Sequence, residues 1–382
     1  MTEDGKPPKE YLDTDDTETL FEENEAFYVA SQWQLIWWKF RKHKLAMTAA
    51  GVLGLLYLCA AFAGFLSPTL PGSRSPEAKF APPQIIRFRD EQRSWVRPFI
   101  YGTKREMNAE TFERRIVRDE TVRYPVHLFA RGEPYKLLGF FRTDVHLIGA
   151  EGGPLFFLGT DALGRDVFTR ILYGSRISLT IGLVGVALTF LLGMFIGGIS
   201  GYYGGIVDNV VQRTIEMIVC IPTIPLWMAL AAALPRDWPP VQMYLGIVVI
   251  TSVMSWAGLA RVIRGKLLSL RDEDFAVAAR LAGATDMRII WRHLLPSFAS
   301  YMIVSLTLSV PATILGETAL SFLGLGLQPP AVSWGVLLRQ AQDVVTIAQH
   351  PWLLSPAIWI MVTVLMFNFL GDGLRDAADP YK

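Results

Sequence analysis

Apolar and polar positions are sorted into long blocks along this chain. Six stretches contain no Asp, Glu, Lys or Arg: residues 45–66, 177–207, 217–235, 238–260, 294–316 and 351–371. Each runs for about 19 residues or more, enough at a rise of about 1.5 Å per residue to cross a hydrocarbon layer of about 30 Å. A single block of this kind could be a buried core helix. Six in one chain predict membrane-crossing helices, because no soluble domain needs so much uninterrupted apolar sequence. The predicted fold class is therefore an all-α polytopic membrane protein with six spans. A polar segment, residues 1–44, precedes the first span. It is too long for the charged start of a cleavable signal peptide, so the first span is expected to stay as an anchor.

Charge orients the spans. The run WWKFRKHK at 37–44 places Lys39, Arg41, Lys42 and Lys44 beside the first span, behind a tryptophan pair suited to the membrane interface. The positive-inside bias makes that end cytoplasmic. Threading six spans then puts 201–208, 261–293 and the tail 372–382 inside, and 235–238 and 325–350 outside. Arg261, Arg264, Lys266, Arg271, Arg280, Arg288 and Arg292 fall in the inner loop, against only Arg236 and Arg339 in the two short outer loops. The domain layout expected is a cytoplasmic segment 1–44, a first span 45–66, an outer lobe and interfacial segment 67–175, a core 176–371 with a cytoplasmic loop at 264–296, and a cytoplasmic tail. The lobe has aromatic material for a small fold, including Trp95, Phe99, Tyr101, Tyr124, Tyr135, Phe140 and Phe141. Within it TFERRIVRDETVR at 111–123 reads as a solvated helix or strand with little apolar face. Residues 1–30 are acidic and polar and are expected to be flexible or loosely held at the inner surface.

Composition narrows the chemistry. Hydrophobic residues make up 51% of the 382 and charged residues only 19%, with a formal net charge of +1. A soluble enzyme keeps more charge and disperses its apolar residues. No HExxH, CxxC, GxSxG or GxxxxGK[ST] occurs, and His43, His127, His146, His293 and His350 lack ligand spacing. A catalytic residue, a metal site and a nucleotide loop are therefore all unsupported, and Cys59 and Cys220 read as small hydrophobes. Any uphill movement would draw its energy from another chain or an ion gradient. Buried charge for an ion-coupled carrier is sparse: Arg213 with Glu216, which three apart on one helix can neutralise each other, Glu317, and the polar Asn368.

Two rows of small or polar residues mark the spans. Gly185, Thr189, Gly193, Gly197 and Gly201 recur every four residues, a seam where another helix can approach closely. Ser305, Ser309, Thr313 and Glu317 form a second row; with Asn368 they could line a water-filled path, or the hydroxyls could bond back to i−4 carbonyls. Pro222, Pro225 and Pro311 are expected to kink the third and fifth spans. In the inner loop 267–281 is helix-compatible, Gly283 supplies a left-handed stop, Thr285 can cap a new start and a second short run ends at Leu295 before Pro296. This knuckle, with Phe275, Ala278, Ala279 and Gly283 on its surface, is shaped either to enter a partner's groove or to serve as a plain connector.

The segment DFAVAARLAGATDMRIIWRHLLP, 274–296, resembles the cytoplasmic loop of the permease subunits of binding-protein-dependent ABC importers. Ala278, Ala279, Gly283, Leu295 and Pro296 match that family's pattern. Val277 and His293 depart from it in the manner of the dipeptide, oligopeptide and nickel class. LGTDALGRDVFTRILYGSRISL at 158–179, GYYGGIVD at 201–208, ETALSFLGLG at 317–326, SWG at 333–335 and GDGLRDAADP at 371–380 are similar to the same class. The resemblance implies a six-helix permease, enlarged by the insertion after its first span, in a bacterial inner membrane with both termini cytoplasmic. It implies coupling to a cytoplasmic ATPase through Asp274, Phe275, Ala278, Ala279, Arg280, Gly283, Ala284, Leu295 and Pro296, with Arg280 free to pair with an ATPase acid or only with Asp286. It also implies a second related permease, two ATPase subunits that bind ATP and Mg in place of any cofactor on this chain, and an external solute-binding protein, with no nucleic acid. Peptides lead as solute, ahead of oligosaccharides, opines or nickel. The competing classes are a membrane-anchored enzyme or receptor acting through the outer lobe, and an ion-coupled carrier.

Overall fold

The computed structural model describes residues 32–89, 95–107, 114–235 and 237–379. Residues 1–30, Arg236 and Pro380, on which parts of the sequence reading fall, lie outside them. An amphipathic helix α1 (Gln32–Lys42) leads through His43, whose Nδ1 accepts from the Ala46 N–H, into α2 (Lys44–Ala61), continued by one turn of α3 (Ala63–Leu66). After the lobe come α4 (Val167–Tyr203), α5 (Gly205–Cys220), α6 (Thr223–Ala232), α7 (Pro240–Leu270), α8 (Asp274–Leu281), α9 (Ala299–Phe322), α10 (Trp334–Arg339), α11 (Val344–Gln349) and α12 (Ser355–Ala378). Five of these elements are long and apolar enough to cross a membrane, and α5 with α6 makes a sixth as a broken pair bent by 88°. The six-span expectation therefore holds with one change. The third span is split where Pro222 withholds an N–H, whereas Pro311 sits inside an unbroken α9.

The small-residue row on α4 explains its packing. An added Cβ would come within 2.5 Å of the Ala260 carbonyl at Gly197, 2.8 Å of the Arg264 carbonyl at Gly201 and 3.0 Å of the Leu259 side chain at Gly193. At Gly185 it would meet Thr313, and the Ser252 hydroxyl donates to the Gly185 carbonyl at 2.9 Å. Partner numbers rise together, so α4 and α7 run parallel, backbone against backbone along the row. Helices α2, α9 and α12 pack around α4 on a core that includes Leu53, Leu179, Val310, Ile314, Ile360 and Phe367.

The insertion is a four-stranded antiparallel meander, β1 (Arg87–Arg89), β2 (Trp95–Met107), β3 (Arg114–Leu137) and β4 (Phe141–Ala150). Ile100, Val126 and Leu155 form its core. Two of the arginines that made 111–123 look featureless lie on aromatics: Arg118 sits 4.0 Å from the Tyr101 ring centre, and Arg123 5.3 Å from that of Phe99. The strand's apolar contact thus comes from arginine faces on π-systems, which a hydropathy pattern does not register.

The segment 158–166 ties lobe to bundle. Asp161 accepts from the N–H groups of Leu163 and Arg165 and from the side chains of Arg165 and Arg170, while Asp166 caps α4 by accepting from the Thr169 N–H at 2.9 Å. Gly164, at φ +73°, leaves room for the Ser75 carbonyl 2.1 Å from where a Cβ would stand. Asp166 is wholly buried, and loss of solvation pushes its carboxyl up to about 6.

Candidate functional site: a protruding loop and the cavity behind it

Beyond α7 the chain does not continue as one helix to Leu281. Residues 271–273 turn it before α8 begins, a break the sequence reading did not place. Helix α8 ends as expected at Gly283, φ +81°. The Ala284 N–H donates to the Ala279 carbonyl at 3.1 Å and the Gly283 N–H to that of Arg280 at 3.0 Å, the paired bonds that close a helix through a left-handed residue. Thr285 occupies the next N-cap without a side-chain cap bond, and the chain then passes through Asp286–Arg288 and a π-helical turn, Ile289–Leu294, into Leu295 and Pro296.

One face of this knuckle is cemented to the bundle. Ala276, Ile289, Ile290, Leu294, Leu295 and Phe298 are buried with Tyr202 of α4 and Ile263 and Leu267 of α7. At about 1.5–3 kcal/mol for each large side chain buried, the cluster makes loop and helix ends a single mechanical piece. The opposite face stays apolar although no described residue covers it: Phe275, Val277, Leu281, Met287 and Trp291 are exposed, Leu281 by 84%. An apolar patch held on a rigid projection is a candidate interaction surface. Arg280 lies over the Tyr202 ring at 5.8 Å, and the Tyr202 hydroxyl donates to Asp286 at 2.8 Å, so both charged groups meet the tyrosine.

A second tie fixes the same end of the bundle. Gly204 and Gly205, both at positive φ, turn α4 into α5 and bring Asp208 beneath Arg264. Both carboxylate oxygens of Asp208 accept from that guanidinium, and the Ser200 hydroxyl donates at 2.6 Å. The ends of α4, α5 and α7 are thereby joined next to the loop. The spacing of these residues gave no sign of this pairing.

Deeper in the bundle a cavity of about 350 Å³ lies between α4, α6, α7 and α9. Its polar lining comes from Thr189, Thr251, Ser255, Ser305, Ser309 and Thr313, with Trp227 and Leu259 among the apolar walls. The hydroxyls of Ser255, Ser309 and Thr313 donate to i−4 carbonyls. Their donors are thus occupied, and oxygen lone pairs face the space. A further cavity of about 520 Å³ shares Ser305, Leu308 and Ser309 and extends past Tyr301 to Arg375, toward the loop end of the bundle. Among the described residues no charged side chain lines the inner cavity.

Glu317 and Asn368, read from the sequence as part of the same row, line neither cavity. Asn368 is exposed on α12. Glu317 has no exposure at all and faces the lobe-side end of the bundle, where it accepts from Ser321 and Ser333 at 2.7 Å and from Ser178 at 3.5 Å. Each serine oxygen in turn accepts a backbone N–H, from Leu327, Val336 and Trp334. The carboxyl therefore anchors the segment 324–341 between α4 and α9, and that demand explains its place in an apolar helix. Arg213 and Glu216 pair at 2.6 Å on the exposed face of α5. Among the described residues no group of three or more His, Cys, Asp or Glu is placed to hold a metal.

Residues 190–381 match the family described as binding-protein-dependent transport system inner membrane component, and residues 31–83 match the N-terminal transmembrane domain of oligopeptide transport permease C. The chain is 42% identical over 226 residues to the dipeptide transport system permease protein DppC of Bacillus subtilis (strain 168), covering 59% of this chain and 68% of that protein. It is 36% identical over 241 residues to the oligopeptide transport system permease protein OppC of the same strain, covering 62% and 76%. A glutathione transport system permease protein, GsiD of Pectobacterium atrosepticum, is 37% identical over 247 residues, covering 65% and 79%.

Proposed function

The chain belongs to the binding-protein-dependent transport system inner membrane components, and from that premise we propose that it supplies half of the translocation path of a peptide importer and couples that path to ATPase subunits through residues 274–296. It is a permease subunit of an ABC importer. ATP and Mg then act on two partner ATPases, a second related permease supplies the facing half of the path, and an extracytoplasmic binding protein delivers the solute. The loop end, where the basic run 39–44 and both described termini lie, is the cytoplasmic side of a bacterial inner membrane.

The observation that carries the reading is mechanical. The exposed apolar face of 275–291 is cemented to the ends of α4 and α7, and those two helices line the cavity higher up. A push on the loop is thereby delivered to the cavity walls without intervening slack. Peptides suit a lining of hydroxyl oxygens, which accept from amide N–H groups and leave side chains to the apolar walls. The names of the three relatives, dipeptide, oligopeptide and glutathione, agree with that chemistry.

The test is uptake of labelled di-, tri- and pentapeptides by the reconstituted complex of this permease with its partners, comparing the unsubstituted chain with Thr313→Trp. Uptake that falls more than about tenfold while ATP hydrolysis and assembly persist supports a path through the cavity. Undiminished uptake would place the path elsewhere.

A further inference from the structure

The hairpin of β3 and β4 carries an apolar tip that no described residue covers. Phe140 is 86% and Phe141 68% exposed, and Leu138 beside them is exposed too. Three residues, 138–140, join the paired Leu137 and Phe141, with Leu138 at φ +51° and Gly139 at φ +85° at the centre of a turn closed by the Phe140 N–H to the Leu137 carbonyl at 3.1 Å. Asn or Asp is the usual choice before glycine in such a turn. A leucine there costs about 1–2 kcal/mol in backbone strain. The sequence thus accepts strain in order to hold an apolar side chain at the apex, where water would penalise it again.

The surroundings indicate what covers it. Tyr135 lies directly against Gly64 in the last turn of the first span, its ring 2.4 Å from where a Cβ would be, and its hydroxyl donates to Val145 across the hairpin. His146, further from the tip, is bonded instead to the Ser67 carbonyl. Passing along the hairpin toward its tip, Phe129 meets Phe65, His146 meets Ser67, Glu133 accepts from the Leu70 N–H and the Ser73 hydroxyl, and Tyr135 meets Gly64, so the last contact before the tip is with the first span itself. The tip lies about 10 Å beyond Tyr135 at the usual strand rise. Leu137 and Phe141 alternate onto the same face as Tyr135, while Lys136 and Arg142, paired in register and both exposed, occupy the other face. Two cations opposed across a hairpin repel in water. The exposed apolar surface of the first span, Leu55, Leu58 and Phe62, runs on through Phe65 to Phe129, whose rings lie 6.2 Å apart.

We propose that residues 136–142 form a membrane-dipping hairpin that seats Leu138, Phe140 and Phe141 in the interfacial layer of the bilayer beside the first span, with Lys136 and Arg142 at the level of the lipid phosphates. Aromatic rings at the interface with cations at headgroup depth are the arrangement such a layer selects. The hairpin fixes the height and tilt of the whole lobe, which otherwise rests on the short contacts around Gly64 and Asp161.

The experiment uses the full chain, assembled with its partners in nanodiscs of phosphatidylethanolamine and phosphatidylglycerol. Cys59 and Cys220 are replaced by Ala, and Phe141→Cys carries an environment-sensitive fluorophore. Expected are a blue-shifted emission, quenching by a shallow lipid spin label at least about threefold stronger than at a Val122→Cys control on the sheet, and weak quenching by aqueous iodide. Iodide quenching equal to the control overturns the proposal. Protection from both quenchers overturns it as well, because protein then covers the tip. A photoreactive benzophenone side chain at position 141, with the native cysteines kept, gives a second reading: a lipid adduct supports the hairpin's placement, and a protein adduct or none refutes it.

Discussion

Replacing Glu317 separates a structural anchor from a path residue, and the structure sets the size of the effect. In Glu317→Ala two serine hydroxyls at 2.7 Å and one at 3.5 Å lose their acceptor in a site with no solvent access. A buried donor left unpaired costs about 1–3 kcal/mol, and the vacated volume adds to that. The sum for two strong bonds and one weak one is about 3–5 kcal/mol, the range seen when one partner of a buried polar network is removed. Glu317→Gln keeps the shape and one carbonyl acceptor for Ser321 and Ser333, so about 1–2 kcal/mol is expected. The assay is thermal unfolding of the purified chain in detergent, followed by size-exclusion fluorescence, with labelling of a cysteine introduced into the 324–341 segment, Cys59 and Cys220 being replaced by Ala, at a temperature below the transition. Glu317→Ala should unfold at clearly lower temperature and label faster, and Glu317→Gln should sit between it and the parent while retaining uptake. Full stability of Glu317→Gln with abolished uptake would refute the anchor and restore a role for the carboxyl in the path.

Three further outcomes follow from particular contacts. Gly197→Ala drives a methyl into the Ala260 carbonyl and should cost about 1–3 kcal/mol by overpacking, whereas Gly258→Ala, with open space at its Cβ position, should be within about 0.5 kcal/mol of the parent in the same unfolding assay. Gly283→Ala meets no neighbour but must hold φ +81°, so a local loss of about 1 kcal/mol is expected, read as faster hydrogen exchange across 279–285 with the rest of the chain unchanged. Asp166, raised from 3.8 to about 6 by burial, binds its proton more tightly folded than unfolded. Its contribution is therefore complete below about pH 4 and is lost as pH rises through 6, by about 3 kcal/mol. Asp166→Asn, which keeps the cap on Thr169, should flatten that slope in unfolding midpoints measured between pH 4 and 7.

Some of this architecture is written in local pattern and some is not. The spans are legible because charge is excluded from them, and the α4 seam because glycine at every fourth position leaves one face without side chains. Gly283 is legible because a left-handed helix stop has a strong residue preference. The sheet is hidden because its second face is made of Arg87, Arg118 and Arg123 lying on Phe99 and Tyr101, a burial that hydropathy counts as charge. Glu317 and Asp208 are hidden for a different reason. Their partners, Ser333 and Arg264, stand 16 and 56 residues away, so only the folded chain reveals that each acid closes one end of the bundle. The division of the third span at Pro222 sits between: the proline predicts a kink, but the 88° bend depends on what α6 packs against.

The most direct measurement of coupling is ATP-driven peptide uptake into proteoliposomes by the complete complex carrying Phe275→Asp and Leu281→Asp together, with ATP hydrolysis and subunit recovery followed in parallel. Both side chains are exposed, so the fold is expected to persist. The account predicts a chain that unfolds at the parent's temperature, retains its cavity and sheet, yet loses its ATPase subunits or their stimulation and takes up no peptide. Uptake at the parent's rate with this face made acidic would contradict it.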